Sequence, residues 1–255
     1  MYLYLLMPVS KIINDWKKNK FDPIYWIEGD ESFYIDQVVE YAEKHILTDE
    51  QQSFNLSVFY GKDASWADIV NACKRYPVFS DKQVVVIKEA QYMNKIEDLQ
   101  SYFENPLPST ILVVAYKDKN IDGRKAFGKM LKTKAVYIAT KKMYDNQLPD
   151  WVMQYVKSSN YQIAPKAVQI IVDHIGNDLS RIQNELEKLT VNLGARKKIT
   201  EDDVEKYIGI SKEYNAFEFQ DAIAQKNFSK AIRMIQYFES NNKAAPIQLI
   251  LPTLY

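Results

Sequence analysis

Ile24-Tyr25-Trp26-Ile27-Glu28-Gly29-Asp30-Glu31-Ser32-Phe33-Tyr34-Ile35 sets the architecture of the first half of the chain. Four apolar residues in a row predict a strand buried on both faces, as in a parallel sheet. Gly29-Asp30 predicts a turn, and Ser32 onward begins an amphipathic helix. In a nucleotide-binding α/β domain, a phosphate-gripping loop follows this strand. Such a loop needs several glycines, whose backbone N–H groups close around phosphate, together with a Gly-Lys-Ser/Thr sequence. The stretch holds one glycine, and Asp30 and Glu31 place negative charge where phosphate charge belongs.

Downstream, the same alternation repeats. A helix carries Ile35, Val38, Val39, Ala42 and Ile46 on one face, and Leu56, Val58 and Tyr60 read as a half-exposed edge strand. Ser65 and Asp68 form a capping pattern for a helix with Trp66, Ile69, Val70 and Cys73 inward. Val84–Ile87 and Ile111–Ala115 read as buried strands, separated by a helix with Ile96, Leu99, Tyr102 and Phe103. A Lys/Arg-rich helix at Arg124–Lys132 leads to a strand at Ala135–Ile138. Alternating strands and helices predict a parallel α/β sheet.

After Thr140 the strand signal ends. Trp151, Val152, Tyr155 and Val156 mark a helix behind first-turn Pro149. A second opens at Pro165 with Val168, Ile171, Val172 and Ile175 inward, and Gly176 stops it. Asn177 or Asp178 caps a third, in which Leu179, Ile182, Leu186, Leu189 and Leu193 recur in steps of three and four. Thr200 and Asp203 open a short helix holding Val204, Tyr207 and Ile208. Further on, Phe217, Ile223, Phe228, Ala231, Ile232, Ile235 and Phe238 read as inward helix positions, and Ile247–Leu254 is apolar again. That last stretch needs covering, so the expectation is a third helical domain that this chain begins and does not finish.

With 255 residues the chain suits two or more domains, and its zero net charge excludes a global attraction to DNA or anionic membranes. A single cysteine, Cys73, rules out an internal disulfide and fits a reducing cytosol; its apolar neighbours make it a buried small hydrophobe. The apolar Met1–Met7 run lacks a basic start and a cleavage site, and no stretch has the roughly 20 apolar residues of a membrane helix. The expectation is a cytoplasmic protein without a membrane partner.

Catalytic chemistry is hard to find in these residues. Glu89 follows the strand Val84–Ile87, where an ATPase would hold a metal, but it stands alone beside Lys88. His45 and His174 have no second ligand at metal spacing, and no hydrolase or metalloprotease motif occurs. No cofactor or metal is expected. The basic residues Lys117, Lys119, Arg124, Lys125, Lys129, Lys132 and Lys134 read as a solvated helix face, or alternatively as a weak contact to nucleic-acid phosphate. Arg75-Tyr76-Pro77-Val78-Phe79-Ser80 joins a helix to a central strand and is apolar where a loop should be polar. From residues alone, Phe79 packs inward as a plug; the alternative is an exposed aromatic anchor for another protein.

Three passages bear a family resemblance. Pro23-Ile24-Tyr25-Trp26-Ile27-Glu28-Gly29-Asp30-Glu31-Ser32-Phe33, Gly176-Asn177-Asp178-Leu179 followed by Asn184-Glu185-Leu186-Glu187-Lys188-Leu189, and Trp151 after Leu148-Pro149 resemble the clamp-loader delta subunit of bacterial DNA polymerase III. The resemblance runs from about Ile12 along nearly the whole chain. It implies an AAA+-like α/β parallel-sheet domain over 1–140, a small all-α lid domain over 141–210, and the start of an all-α collar domain over 211–255. It further implies that Gly29, Asp30 and Glu31 form a degenerate, non-binding nucleotide loop. In such subunits a hydrophobic tip enters a pocket of the ring-shaped sliding clamp and opens one ring interface. The matching residues here are Val78 and Phe79, with Tyr76 and Pro77 beside them; valine stands where leucine is usual. The implied partners are the sliding clamp, motor and delta-prime-like subunits of a DNA polymerase holoenzyme reached through the collar, and DNA indirectly or weakly at Arg124, Lys125 and Lys129. Ser180-Arg181-Ile182 does not match the Ser-Arg-Cys motif of related subunits. Two other functions compete with this one: an active ATPase of the same fold with an atypical loop, and a DNA-binding adaptor.

Overall fold

The computed structural model describes residues 9–209, 214 and 216–240. The chain divides into two compact units, 1–142 and 143–255.

The first unit is a five-stranded, wholly parallel sheet: β1 (Ile24–Gly29), β2 (Leu56–Tyr60), β3 (Gln83–Lys88), β4 (Thr110–Lys117) and β5 (Val136–Thr140), ordered β2-β3-β4-β1-β5. β1 lies between β4 and β5, with Trp26 opposite Val114 and Tyr137. Every residue of β1 is buried, which explains its unbroken apolar run.

Side chains on one sheet face, including Ile24, Trp26, Val85, Ile87, Leu112 and Val114, form a core with Ile69, Leu99, Phe103, Phe127 and Leu131. Trp26 is its centre, stacked on Tyr116 with ring centroids 5.7 Å apart and edge-on to Phe127 at 5.6 Å. Helix α1 (Ser10–Lys17) buries Ile12 and Trp16, and the Trp16 ring meets Tyr25 edge-on at 4.8 Å. Helix α2 (Ser32–His45) packs on β1, β3, β4 and β5 and buries Ile35, Val38, Val39 and Ala42 as its spacing predicts, whereas Ile46 lies just past its last turn and is half-buried. A helix the sequence reading did not anticipate, α3 (Asp49–Asn55), is started by a capping box at Thr48 and Gln51 and runs straight into β2.

β2 is a sheet edge, as its pattern predicts, with Val58 and Tyr60 exposed. Helix α4 (Trp66–Cys73) is capped by Ser65, whose Oγ accepts the Asp68 N–H at 3.1 Å. Ile69, Val70 and Cys73 point inward as expected. Trp66, the first residue after the cap, is 36% exposed instead.

The helix expected around Ile96–Phe103 is a 3₁₀ turn at Ile96–Leu99 joined to one α turn, α5 (Gln100–Phe103). The left-handed backbone of Lys95 starts this tighter winding, which still turns Ile96, Leu99, Tyr102 and Phe103 inward. The basic helix α6 spans Ala126–Lys134, two residues later than its charge pattern suggests, because Arg124 lies in a turn bonded to Asp122.

The second unit is mainly helical: α7 (Leu148–Ser158), α8 (Pro165–Ile175), α9 (Leu179–Asn192), α10 (Glu201–Asp203) with a π turn at Val204–Ile208, α11 (Ala216–Ala224) and α12 (Phe228–Ser240). Gly176, at φ +70°, ends α8, and Asp178 caps α9 by accepting the Arg181 N–H at 2.9 Å. Leu179, Ile182, Leu186, Leu189 and Leu193 are all buried. Contrary to the expectation of helix alone, two two-residue strands, β6 (Gln162–Ile163) and β7 (Lys198–Ile199), pair in parallel; they are too short to leave a periodic trace.

In the α11–α12 hairpin Phe219, Ala222, Ala231, Met234 and Phe238 form a buried cluster. Phe228, Ile232 and Ile235, expected inward, are exposed, because α12 is apolar on two faces and turns the other one to α11; Ile223 on α11, also expected inward, is exposed as well. The Met1–Met7 run, the Phe217 side chain and Ile247–Leu254 lie outside the described residues.

Candidate functional site

Two places concentrate unusual geometry in the α/β unit: the turn after β1 and the loop before β3.

At the turn, Gly29 has φ +125°, and a Cβ there would sit 2.0 Å from the Thr140 carbonyl oxygen. The glycine is therefore needed for close approach to β5 as well as for its backbone angle. The next N–H, that of Asp30, donates to the same Thr140 oxygen at 3.2 Å. Glu31 is largely buried and caps α2, its Oε1 accepting the Phe33 N–H at 3.2 Å. The start of α2, where a phosphate would gain most from the helix dipole, thus already holds a carboxylate.

Glu28, fully buried at the end of β1, is a residue the sequence reading passed over. Its Oε2 accepts from Trp26 Nε1 at 2.7 Å and from the Ile121 N–H at 3.2 Å. Its Oε1 accepts from the Tyr137 hydroxyl. Burial, and then this bond to the carboxylate, push the Tyr137 phenol well above its ordinary pKa. A charged residue ending an otherwise apolar strand was the available signal.

Ligands of open parallel sheets bind beyond the C-terminal strand ends. There a cleft of about 220 Å³ is lined by Asp36, Glu40, Glu43, Lys88, Glu89 and Lys117 among others. Both lysines are already paired to α2, Lys88 with Glu43 at 2.7 Å and Lys117 with Asp36 at 2.6 Å. Glu89, the candidate metal carboxylate, is exposed on a left-handed backbone. Among the described residues no group of three or more His, Cys, Asp or Glu side chains could hold a metal ion. His45 lies against the Tyr41 ring at 4.9 Å.

The loop before β3 has a different character. Phe79 is 94% exposed, Tyr76 is 77% exposed and Val78 is 45% exposed. Phe79 does not pack inward, as the residues alone suggested. Its φ is +52°, a left-handed conformation uncommon for an aromatic residue. The loop is nevertheless held. Gln83 Nε2 donates to the Arg75 carbonyl at 2.5 Å, and the Arg75 guanidinium donates to Ser57 Oγ on β2 at 3.0 Å. Asn55, buried at the end of α3, bonds to both backbone groups of Val78. No sequence pattern pairs residues 55 and 78, so this contact was invisible before the fold was known.

The expected basic patch is partly spent. Arg124 pairs with Asp122 through Nε and Nη2, both at 3.0 Å, while Lys125 and Lys129 are exposed. Cys73 is fully buried, and burial pushes its thiol up to about 12. Among the described residues no helix is long and apolar enough to cross a membrane.

A family model described as DNA polymerase III, delta subunit matches residues 25–141, which include the Gly29 turn and the 76–79 loop. Among curated proteins, DNA polymerase III subunit delta of Bacillus subtilis (strain 168) is 25% identical over 244 residues, spanning 92% of this chain and 70% of that protein. The probable DNA polymerase III subunit delta of Aquifex aeolicus (strain VF5) is 20% identical over 226 residues, 83% of this chain and 62% of that protein. The solved structure of the Bacillus subtilis DNA clamp loader delta protein superposes with a TM-score of 0.69 at 24% identity, covering 96% of this chain and 75% of that one. Over residues 25–141 in sequence, and in its fold, the chain is similar to DNA polymerase III delta subunits.

Proposed function

We propose that this chain is a clamp-loader subunit that binds the ring-shaped sliding clamp through Tyr76, Pro77, Val78 and Phe79 and opens one ring interface during DNA replication. The observation that carries this reading is Phe79, a large apolar ring 94% exposed on a loop fixed by hydrogen bonds. Exposed aromatic anchors on rigid supports are what binding hot spots are made of.

In this reading the chain hydrolyses no ATP of its own. Support comes from the turn after β1, where the Asp30 N–H and the start of α2 are already occupied by Thr140 and Glu31. Gly29, Asp30 and Glu31 then keep the geometry of a nucleotide loop without its grip. The region from residue 211 onward, of which α11 and α12 are described, would assemble with motor and delta-prime-like subunits. DNA is touched weakly, if directly, by the exposed Lys125 and Lys129 beside Arg124.

Titrating the chain with its cognate sliding clamp tests the reading. Saturable binding that Phe79→Ala weakens by about 2 kcal/mol or more is expected. Clamp binding indifferent to Phe79, or ATP turnover by the purified chain, would overturn it.

A further inference from the structure

Asn55 is 2% exposed, and its side chain makes a two-way contact with a residue 23 positions later. Its Oδ1 accepts the Val78 N–H at 2.7 Å, and its Nδ2 donates to the Val78 carbonyl at 2.8 Å. A further bond from Nδ2 to the Gln51 carbonyl, at 3.1 Å, ties the amide back to α3. The exchange of both bonds with one residue copies a hydrogen-bonded antiparallel pair, with a side-chain amide replacing one strand.

The two Val78 groups belong to the two peptide planes on either side of that residue. Fixing both planes fixes the direction of the bond from the Phe79 nitrogen to its Cα, the root from which the ring emerges. Phe79 is also the residue with φ +52°, a conformation that persists only when its surroundings over-determine it. An exposed ring gains nothing from that geometry in the free chain. A partner gains, because an anchor already in place loses less freedom on binding.

We propose that Asn55 is a positioning residue for clamp binding, holding Phe79 outward before the partner arrives; the proposal rests on the clamp-binding reading above. The test uses the full chain and the cognate sliding clamp. Asn55→Ala should weaken clamp binding about tenfold. In a Phe79→Ala background the same change should add nothing, because Asn55 acts only through the ring. Asn55→Asp, which keeps the acceptor for the Val78 N–H and loses the donor, should fall between wild type and Asn55→Ala.

Equal losses in both backgrounds would mark a merely structural role and overturn the proposal. Binding that depends on Phe79 and ignores Asn55→Ala would overturn it while leaving the clamp-binding reading intact. A wild-type chain that does not bind the clamp would remove both. Should the Asn55 variants fail to fold, amide exchange on the wild-type chain still decides. The Val78 N–H should be protected beyond the Ser80 N–H, and exchange at the rate of an unstructured peptide would show that no grip exists.

Discussion

Arg196 holds Asp203 with two nitrogens, Nη2 to Oδ1 at 2.6 Å and Nη1 to Oδ2 at 3.2 Å. The same Oδ2 accepts from the backbone N–H and the hydroxyl of Thr200, both at 2.9 Å, which closes the start of α10. Burial alone would raise the Asp203 pKa, but the bonds from Arg196 and Thr200 outweigh it and hold the carboxyl below its ordinary value. A depressed carboxyl contributes stability above its unfolded-state pKa, and that contribution is lost as pH falls through the folded value. Asp203→Asn should therefore flatten the acid side of the stability profile and cost about 1 to 2 kcal/mol near neutral pH. Urea midpoints measured from pH 7 down to pH 3 check both.

Glu28 receives donors from Trp26, Tyr137 and Ile121 while fully buried. Glu28→Ala should cost about 2 to 4 kcal/mol, because it strands those donors away from water. Glu28→Gln, which keeps an acceptor, should cost less. Chemical denaturation of the two variants gives the ranking, and an Ala variant as stable as wild type would mean that water replaces the carboxylate.

Gly29 and Gly176 both have positive φ, but only Gly29 is crowded. Gly29→Ala should cost about 3 kcal/mol or more, combining backbone strain with the clash against Thr140. Gly176→Ala, with nothing within 4 Å of the new Cβ, should carry the backbone cost alone, about 1 to 3 kcal/mol, because φ +70° with ψ −155° is a region nearly restricted to glycine. Thermal unfolding of the pair separates the two effects.

Phe79→Gly should leave stability unchanged or raise it by up to about 1 kcal/mol, since glycine accepts φ +52° without strain and the lost ring was exposed. On the proposed function, the same variant loses clamp binding. Melting temperature and clamp affinity would then move independently.

Cys73 should resist alkylation in the native chain and react once it is unfolded. Above the ordinary thiol pKa of about 8.5, the unfolded chain releases a proton that the native chain, with its thiol raised to about 12, retains. Stability should therefore fall as pH rises through that window, and Cys73→Ala should remove that part of the slope.

The strands and most helices were legible because burial leaves a period. β1, β3 and β4 are apolar runs since both of their faces are covered, and Ser65, Pro165, Gly176 and Asp178 mark helix ends by their own chemistry. What escaped notice was non-periodic or long-range. β6 and β7 are two residues each, α12 is apolar on two sides, and the Asn55–Val78 contact joins residues that nothing in the order of the chain connects. The 76–79 loop could be picked out for being apolar, but its direction could not. Only the fold separates a plug from an exposed ring.

The sheet also tapers in strand length. Its two edges, β2 and β5, have five residues each, against six to eight in the three strands between them. An edge about 17 Å long offers a second copy few backbone groups to pair with, since only alternate residues point their N–H and C=O outward. Val58 and Tyr60 add apolar surface to that rim, so a longer β2 would make a ready seed for stacking chains edge to edge. Keeping the rim short protects solubility while leaving the neighbouring loop free to display an apolar ring.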